Sequence, residues 1–177
     1  MIRVMKNTNT IKRLTKNAIM LAMLCVIGMF SLPLGDNIKV SLQLLMVFII
    51  GLTAATFYDG MIITGLYLLL GLVAPVYAGF SIGVTPTFGF VISFVVITPI
   101  IYFLNKLPIK NQFLRMSIAC VVSLFICYII GALFLALYLH LDIQKALLIA
   151  VVPYVPFDIA KIVIAVLVVS ILNKRIS

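Results

Sequence analysis

The chain has 177 residues, of which 65% are hydrophobic and 10% are charged. Soluble domains are about 45–50% apolar and about 25% charged, so this composition excludes an ordinary water-soluble domain and indicates membrane spans. A span takes about 20 residues plus a turn, so the length allows about six helices and excludes a separate soluble catalytic or ATP-hydrolysing domain. The net charge of +9 reports membrane topology rather than nucleic-acid binding, because the basic residues lie mostly between apolar runs.

A basic N-terminal segment, residues 1–16, precedes six apolar runs. The first run is longer than the core of a signal peptide and no small-x-small cleavage site follows it, so we expect it to be retained as a helix. The runs are Asn17–Leu34, Val40–Phe57, Met61–Tyr77, Thr87–Leu104, Leu114–His140 and Ala146–Leu172. Residues 17–177 are therefore predicted to form one all-α membrane domain of six transmembrane helices.

Helix-breaking residues separate the predicted spans. Pro33–Gly35 is predicted to end the first helix, and Pro108 follows the fourth. The connection Tyr58-Asp59-Gly60 is so short that the second and third helices are predicted to form a tight antiparallel pair. The stretch Ala78–Pro86 is rich in Gly, Ser, Thr and Pro and predicts a structured loop between the third and fourth helices.

Lysine and arginine are concentrated on one side of the predicted bundle. Five lie in the N-terminal segment, three in Asn105–Arg115 and two in the C-terminal tail, and these segments share one side if there are six spans. The opposite side carries Lys39 and Lys145, each with an aspartate nearby. Because cytoplasmic loops carry the excess of Lys and Arg, both termini are predicted to be cytoplasmic.

Most potentially reactive side chains have a simple structural interpretation. The cysteines lie inside apolar runs without CxxC spacing and are interpreted as small buried hydrophobic residues. His140 ends a predicted helix and has no His or Glu at ligand spacing, so no metal site is expected. The sequence has no phosphate loop, HExxH or Ser/His/Asp pattern, so we expect no cofactor, no catalytic residues and no ATP hydrolysis by this chain. Solvated loop positions are predicted for three aspartates: Asp36, Asp59 and Asp142.

The fourth aspartate belongs to an apolar segment. Asp158 and Lys161 are three residues apart, which places them on one helix face. Pro153 and Pro156 break the preceding helix, so Asp158 is predicted in the first turn of a new helix, towards the external leaflet. Ionisable groups at membrane depth are costly and usually pair or face a cavity. Two interpretations stay open: a pair that only fixes helix packing, and a pocket in which Lys161 meets an anionic ligand that Asp158 orients.

The loop after the third helix is predicted to reach the same external face. It supplies a flexible backbone and small hydroxyls, and aromatic residues beside it supply apolar walls. The candidate ligand contacts are Tyr77, Gly79, Ser81, Thr85, Thr87 and Phe88. Gln43 begins the second helix near that face and is a further candidate. The alternative is a plain glycine-rich connector.

The first helix carries two small residues, Ala18 and Ala22, four positions apart. Such a pair lets another helix approach closely. The partner helix can belong to this chain or to another subunit, and the spacing alone favours an internal contact.

Three segments resemble the biotin-transporter (BioY) family, the substrate-binding S components of energy-coupling factor (ECF) transporters. They are Val40-Ser41-Leu42-Gln43, Tyr67-Leu68-Leu69-Leu70-Gly71-Leu72-Val73-Ala74-Pro75-Val76-Tyr77-Ala78-Gly79 and Pro156-Phe157-Asp158-Ile159-Ala160-Lys161, in the family's order and spacing. The Ala18/Ala22 pair also resembles the motif by which S components dock on their transmembrane subunit.

The resemblance implies a six-helix S component in a bacterial plasma membrane that captures a vitamin outside the cell. It implies two kinds of partner, a transmembrane coupling subunit and two ATPase subunits. It also implies that Asp158 and Lys161 contact the ligand.

One motif departs from the family pattern. Where the family has Gly-Pro-[Ser/Thr]-Gly-Gly-Tyr, this chain has Val84-Thr85-Pro86-Thr87-Phe88-Gly89-Phe90, and Val91 stands where some members have Arg. A tyrosine hydroxyl is thereby lost and a bulky aromatic ring is gained. Because a buried ureido group needs polar partners, the less polar pocket leaves two carboxylated sulfur vitamins open, biotin and lipoate.

Two alternative functions stay open. The first is a stand-alone porter or channel, which would move its solute without ATPase partners. The second is an intramembrane enzyme using Asp158, which is disfavoured because no second acid or histidine lies within an apolar run.

Overall fold

A computed structural model of the protein describes residues 2–33 and 39–176. Asp36 lies outside the described residues. The described part contains seven α-helices and one two-stranded antiparallel hairpin. In chain order the elements are α1 (Ile2–Met29), β1 (Ser31–Pro33), β2 (Lys39–Ser41), α2 (Gln43–Thr53), α3 (Phe57–Val73), α4 (Phe88–Leu104), α5 (Gln112–Leu139), α6 (Ile143–Ala150) and α7 (Val155–Ile176).

The seventh helix of the described chain arises because the last apolar run is divided. Helix α6 ends at Ala150, and α7 begins at Val155, after a turn that contains Pro153. The prediction that prolines place Asp158 in the first turn of a new helix is confirmed. With eight residues α6 is only about 12 Å long, too short to cross a bilayer. Within the described residues, α5 and α7 have the length and apolar composition of a span, while α2, α3 and α4 are shorter apolar helices.

The first helix differs from its predicted bounds at both ends. It begins at Ile2 and therefore includes most of the basic segment 1–16. It ends at Met29 rather than Leu34, because the chain turns into the hairpin, in which Ser31 pairs with Ser41 and Pro33 with Lys39. The exposed carbonyl of Met29 accepts a hydrogen bond from the Gly79 amide, at 3.0 Å. The loop after α3 is thus fastened to the end of α1.

The predicted loop position of Asp59 is wrong. Helix α3 begins at Phe57 rather than Met61, so Asp59 lies in its first turn and is only 1% exposed. A capping box forms this helix start: Thr56 and Asp59 bond reciprocally, and the Asp59 carboxylate accepts from the Thr56 amide at 2.8 Å. The same carboxylate accepts from Arg13 at 2.8 Å and from Asn17 at 2.6 Å, so it joins α3 to α1.

The other loop aspartate in the described chain, Asp142, is exposed immediately before α6, as predicted.

The core lies where α4 packs against α2, α3 and α5, and where α2 packs against α7. Its fully buried side chains include Phe48, Ile97 and Val169. The outward faces are also apolar, with Phe125 65% and Leu137 76% exposed. A chain that is apolar both inside and outside is suited to lipid surroundings. The three cysteines are free, Cys120 and Cys127 buried and Cys25 half-buried, which agrees with their interpretation as small hydrophobic residues.

Candidate functional site

Asp158 and Lys161 form a buried ion pair at the start of α7. Lys161 Nζ donates to Asp158 Oδ1 at 2.7 Å, and the two residues are 6% and 4% exposed respectively. The hydroxyl of Tyr128, on α5, donates to Asp158 Oδ2 at 2.6 Å. Both carboxylate oxygens of Asp158 therefore accept a hydrogen bond, Oδ1 from a residue of the same helix and Oδ2 from a residue of α5. The predicted placement of the pair on one helix face is confirmed.

The position of this pair follows from the local sequence. Proline has no amide hydrogen and is tolerated in the first turn of a helix, where Pro156 lies. Asp158 follows in the same turn, where the positive end of the helix dipole favours a carboxylate. The first-turn amides of Val155 and Asp158 already donate to the carbonyls of Val151 and Tyr154.

Gln43 begins a second polar cluster. It is the first residue of α2, is 7% exposed, and donates through Nε2 to the Tyr67 hydroxyl at 2.6 Å. The Tyr67 hydroxyl donates in turn to the carbonyl of Val76, at 2.9 Å. This chain of hydrogen bonds ties α2, α3 and the loop after α3 together, and the predicted inward position of Gln43 is confirmed.

Four aromatic rings continue from Tyr67 in a row. Ring centroids lie 5.5 Å apart between Tyr67 and Tyr77, 6.2 Å between Tyr77 and Phe88, and 5.9 Å between Phe88 and Phe134. Of the four aromatic residues predicted as walls, Tyr77 is 2% and Phe88 9% exposed, Phe90 is half-buried, and Phe80 is exposed. The row gives the interior an apolar, aromatic wall that runs from α3 to α5.

The loop between α3 and α4 is structured, as predicted. Tyr77 and Ser81 form an isolated antiparallel bridge, and Gly79 between them has a φ of +69°, a conformation that glycine adopts without strain. The Ser81 hydroxyl donates to the Ala78 carbonyl at 3.0 Å.

Three predicted ligand contacts of this loop, Gly79, Thr85 and Thr87, have no described hydrogen bond to Asp158 or Lys161. The hydroxyls of Thr85 and Thr87 bond to each other at 3.1 Å in an exposed position just before α4. Gly79 is exposed as well. These residues lie at the rim of the described structure, and their ligand contacts stay predictions.

The segment that departs from the family pattern is tightly packed. A Cβ atom on Gly89 would approach Phe134 Cβ to 2.2 Å, and one on Gly131 would approach the ring of Phe90 to 2.3 Å. Glycine is therefore required at both positions by the two phenylalanines opposite. Phe88 and Phe90 fill space here with apolar rings and contribute no hydroxyl group.

Ala18 and Ala22 lie on an exposed face of α1. This exposure differs from the internal contact that the spacing alone favours. Ala18 borders a groove of about 470 Å³ between α1 and α3, whose apolar side chains include Leu21, Ile62 and Leu66.

Sequence reasoning missed Tyr128 and Tyr67 as members of the site. Each lies inside a long apolar segment, and a buried tyrosine hydroxyl usually finds a hydrogen-bond partner. That signal indicates a polar contact without naming the partner, which for Tyr128 is 30 residues further along the chain.

Comparison with known proteins gives the class of the fold first. The fold is that of an ECF-transporter S component. A crystal structure described as the S-component for biotin from an ECF-type ABC transporter superposes with a TM-score of 0.85, covers 95% of this chain and 94% of its own, and is 24% identical in sequence.

The sequence comparisons then give the family. The chain belongs to the BioY family, whose model matches residues 5–177. A relative from Thermotoga maritima, named biotin transporter BioY, is 33% identical over 168 residues that cover 92% of this chain and 96% of the relative. The predicted resemblance is confirmed. Because these relatives are transport proteins, the expectation that the chain is not an enzyme is confirmed as well.

Proposed function

We propose that the protein is the substrate-binding S component of an ECF-type transporter and that it captures biotin. The observation that carries the proposal is the buried Asp158–Lys161 pair at the start of α7, in a chain of the BioY family. The name of the Thermotoga maritima relative supports biotin as the ligand. A lysine is otherwise an expensive residue with which to pack helices.

The chemistry of the pair suits a carboxylated ligand. Within the described chain Lys161 donates one hydrogen bond, to Asp158, and an ammonium group has three donors. The remaining donors are available to the carboxylate of a ligand. Asp158, which accepts from Lys161, orients that ammonium group towards the carboxylate of the ligand.

The other candidate contacts have complementary roles in this proposal. The amide oxygen of Gln43 accepts a ligand N–H, while the rings of Tyr77 and Phe88 pack against the sulfur-containing ring and the aliphatic tail. Rim contacts at the external entrance come from the loop after α3: Gly79, Ser81, Thr85 and Thr87.

The proposed topology has six spans, α1 to α5 and α7, with α6 lying along the external surface. Helix α2 is only about 16 Å long, and the extended residues of β2 directly before it lengthen the second span. Charge supports it, because Lys174 and Arg175 at the end of α7 then share the cytoplasmic side with the N-terminal segment. Asp158, at the opposite end of α7, then faces the external side, where a vitamin is captured. The proposed location is a bacterial plasma membrane.

Transport is proposed to require partner subunits. A transmembrane coupling subunit docks at Ala18 and Ala22, whose exposure on α1 permits close helix approach. Two ATPase subunits supply ATP hydrolysis, for which this sequence has no phosphate loop.

Lipoate is a second candidate ligand because of one observation. Phe88 is buried and Phe90 packs against Gly131, and neither ring offers a hydroxyl group to a ureido ring. Lipoate has an apolar disulfide ring and the same kind of carboxylate tail, and it needs fewer polar partners than biotin does.

Calorimetric titration of the detergent-purified chain with biotin and with lipoate tests the proposal. We expect tight one-to-one binding of one acid, and binding at least about tenfold weaker in Asp158→Asn and Lys161→Met, since each variant removes a hydrogen bond to a charged group. Asp142→Asn and Lys145→Met are matched controls, because both residues are exposed near α6. Binding of neither acid by the wild-type chain, or equal losses in the control variants, contradicts the proposal.

A further inference from the structure

The carboxylate of Asp158 is held from two directions. Lys161, one turn further along α7, donates to Oδ1, and Tyr128 of α5 donates to Oδ2. Tyr128 is 8% exposed, so all three side chains are buried. Tyr128 is the one member of this trio that carries no charge, and it belongs to a different helix.

The residue next to Tyr128 contacts a third helix. Cys127 Sγ lies 3.0 Å from the hydroxyl oxygen of Ser93 on α4, within hydrogen-bond distance. Ser93 and Cys127 are both fully buried or nearly so. Helix α5 therefore packs against α4 at the residue next to Tyr128, whose hydroxyl bonds to Asp158 on α7.

We propose that Tyr128 is a positioning residue, which keeps Asp158 hydrogen-bonded while Lys161 directs its ammonium group to the anionic group of the ligand. The inference rests on the proposed function, since it assumes a carboxylated ligand at Lys161. The inference extends the binding site from α7 to α5.

The physical reason is the cost of a buried carboxylate that loses its partners. A ligand carboxylate that accepts from the remaining donors of Lys161 shares this ammonium group with Asp158, and the two negative charges repel each other. A second hydrogen bond to Oδ2, from a neutral donor, stabilises the Asp158 carboxylate beside that second negative charge. Without the hydroxyl, Asp158 depends on Lys161 alone, so sharing the ammonium group with the ligand costs more free energy.

The test compares an acid with a neutral analogue. Tyr128→Phe removes the hydroxyl and keeps the ring, and biotinol replaces the carboxylate of biotin by an alcohol. We expect the affinity of Tyr128→Phe for biotin to fall about tenfold or more, the range for a lost hydrogen bond to a charged group. The affinity for biotinol is expected to fall much less, because no second carboxylate competes for Lys161.

Tyr102→Phe is the matched control. Tyr102 lies near the end of α4, where its hydroxyl accepts a hydrogen bond from Lys106 in an exposed position. We expect this variant to bind both ligands as the wild type does. The stoichiometry of each titration gives the fraction of folded protein, so a loss of folded chain is separated from a loss of affinity.

A second variant guards against a general effect of the Phe substitution. Replacing Tyr128 by 3-fluorotyrosine makes the hydroxyl a stronger donor with little change in shape, and binding of biotin is expected to be retained or strengthened. Unchanged biotin binding in Tyr128→Phe, or equal losses for biotin and biotinol, overturns the inference while the proposed function stands. Absence of biotin binding by the wild type overturns both.

Discussion

Tyr77 lies directly over Gly71 of α3, and this contact shows how closely the aromatic row is packed. A Cβ atom at position 71 would come within 1.9 Å of the Tyr77 ring, well inside contact distance. On the same helix, Gly65 has no atom within 4 Å of its Cβ position. Two glycines of one helix therefore have opposite requirements.

We predict that Gly71→Ala destabilises the protein by about 1–3 kcal/mol, the usual cost of overpacking. Gly65→Ala is expected to be neutral or to stabilise by about 0.5–1 kcal/mol, because alanine is the better helix former. Thermal unfolding in detergent measures both. Equal melting temperatures for the two variants would contradict the packing of Tyr77 on α3.

At the scale of single residues, the positions of the charged site residues could be predicted from the sequence, but the position of their neutral hydrogen-bond partner could not. The spacing of Asp158 and Lys161 and the prolines before them were enough to place Asp158 in the first turn of α7 and Lys161 one turn further along. Tyr128 could not be found in this way, because its partner lies on another helix and only the fold brings α5 beside α7. The packing of Phe90 on Gly131 likewise depends on how α4 and α5 meet.

At the scale of elements, α1 and α3 are joined by the Asp59 carboxylate. Arg13 and Asn17, one turn apart on α1, both donate to Oδ1 of Asp59, and Thr56 donates to Oδ2. These contacts fix the rotation of α1 about its axis, and thereby the face on which the neighbouring Ala18 is exposed. Lys16 adds a hydrogen bond to the carbonyl of Thr53 at the end of α2.

We predict that Asp59→Asn loosens α1 from α3, because the amide group has one acceptor oxygen in place of two and no negative charge. The expected loss of stability is about 1–3 kcal/mol, typical of a buried hydrogen-bonded charge. Asp142→Asn, at an exposed position, is the control and is expected to change little. Thermal unfolding and limited proteolysis at the start of α1 measure the effect. A stability equal to that of the control would contradict the joining role of Asp59.

The start of α3 could have been predicted from a capping-box pattern, which is easily overlooked in so apolar a sequence. Thr56-Phe57-Tyr58-Asp59 has the spacing of a capping box, with an acidic residue three positions after a threonine. The hairpin of Ser31–Pro33 with Lys39–Ser41 has three residues in each strand, too few to show an alternating pattern. Helix ends that are set by capping residues can be predicted from a sequence. Strands of three residues cannot, because their pairing depends on the surrounding fold.

At the scale of the whole molecule, the distribution of basic residues gives a testable topology. We predict that a cysteine at position 145 is labelled by a membrane-impermeant reagent in intact cells, while one at position 110 is labelled only after permeabilisation. Lys145→Cys lies in α6, on the proposed external side, and Lys110→Cys lies between α4 and α5. The native cysteines are buried or half-buried in helices, so the wild-type chain is the background control. Labelling of both positions from one side would contradict the topology.

The most direct test of the central claim uses the chain alone in a membrane. The purified protein is reconstituted in liposomes without partner subunits, and the binding and the accumulation of labelled biotin are measured separately. An S component is expected to bind saturably, with one biotin per accessible chain and a loss of binding in Lys161→Met, and to accumulate nothing in the lumen. Accumulation by the chain alone would show a stand-alone porter, and absence of saturable binding would contradict the capture of biotin at Asp158 and Lys161.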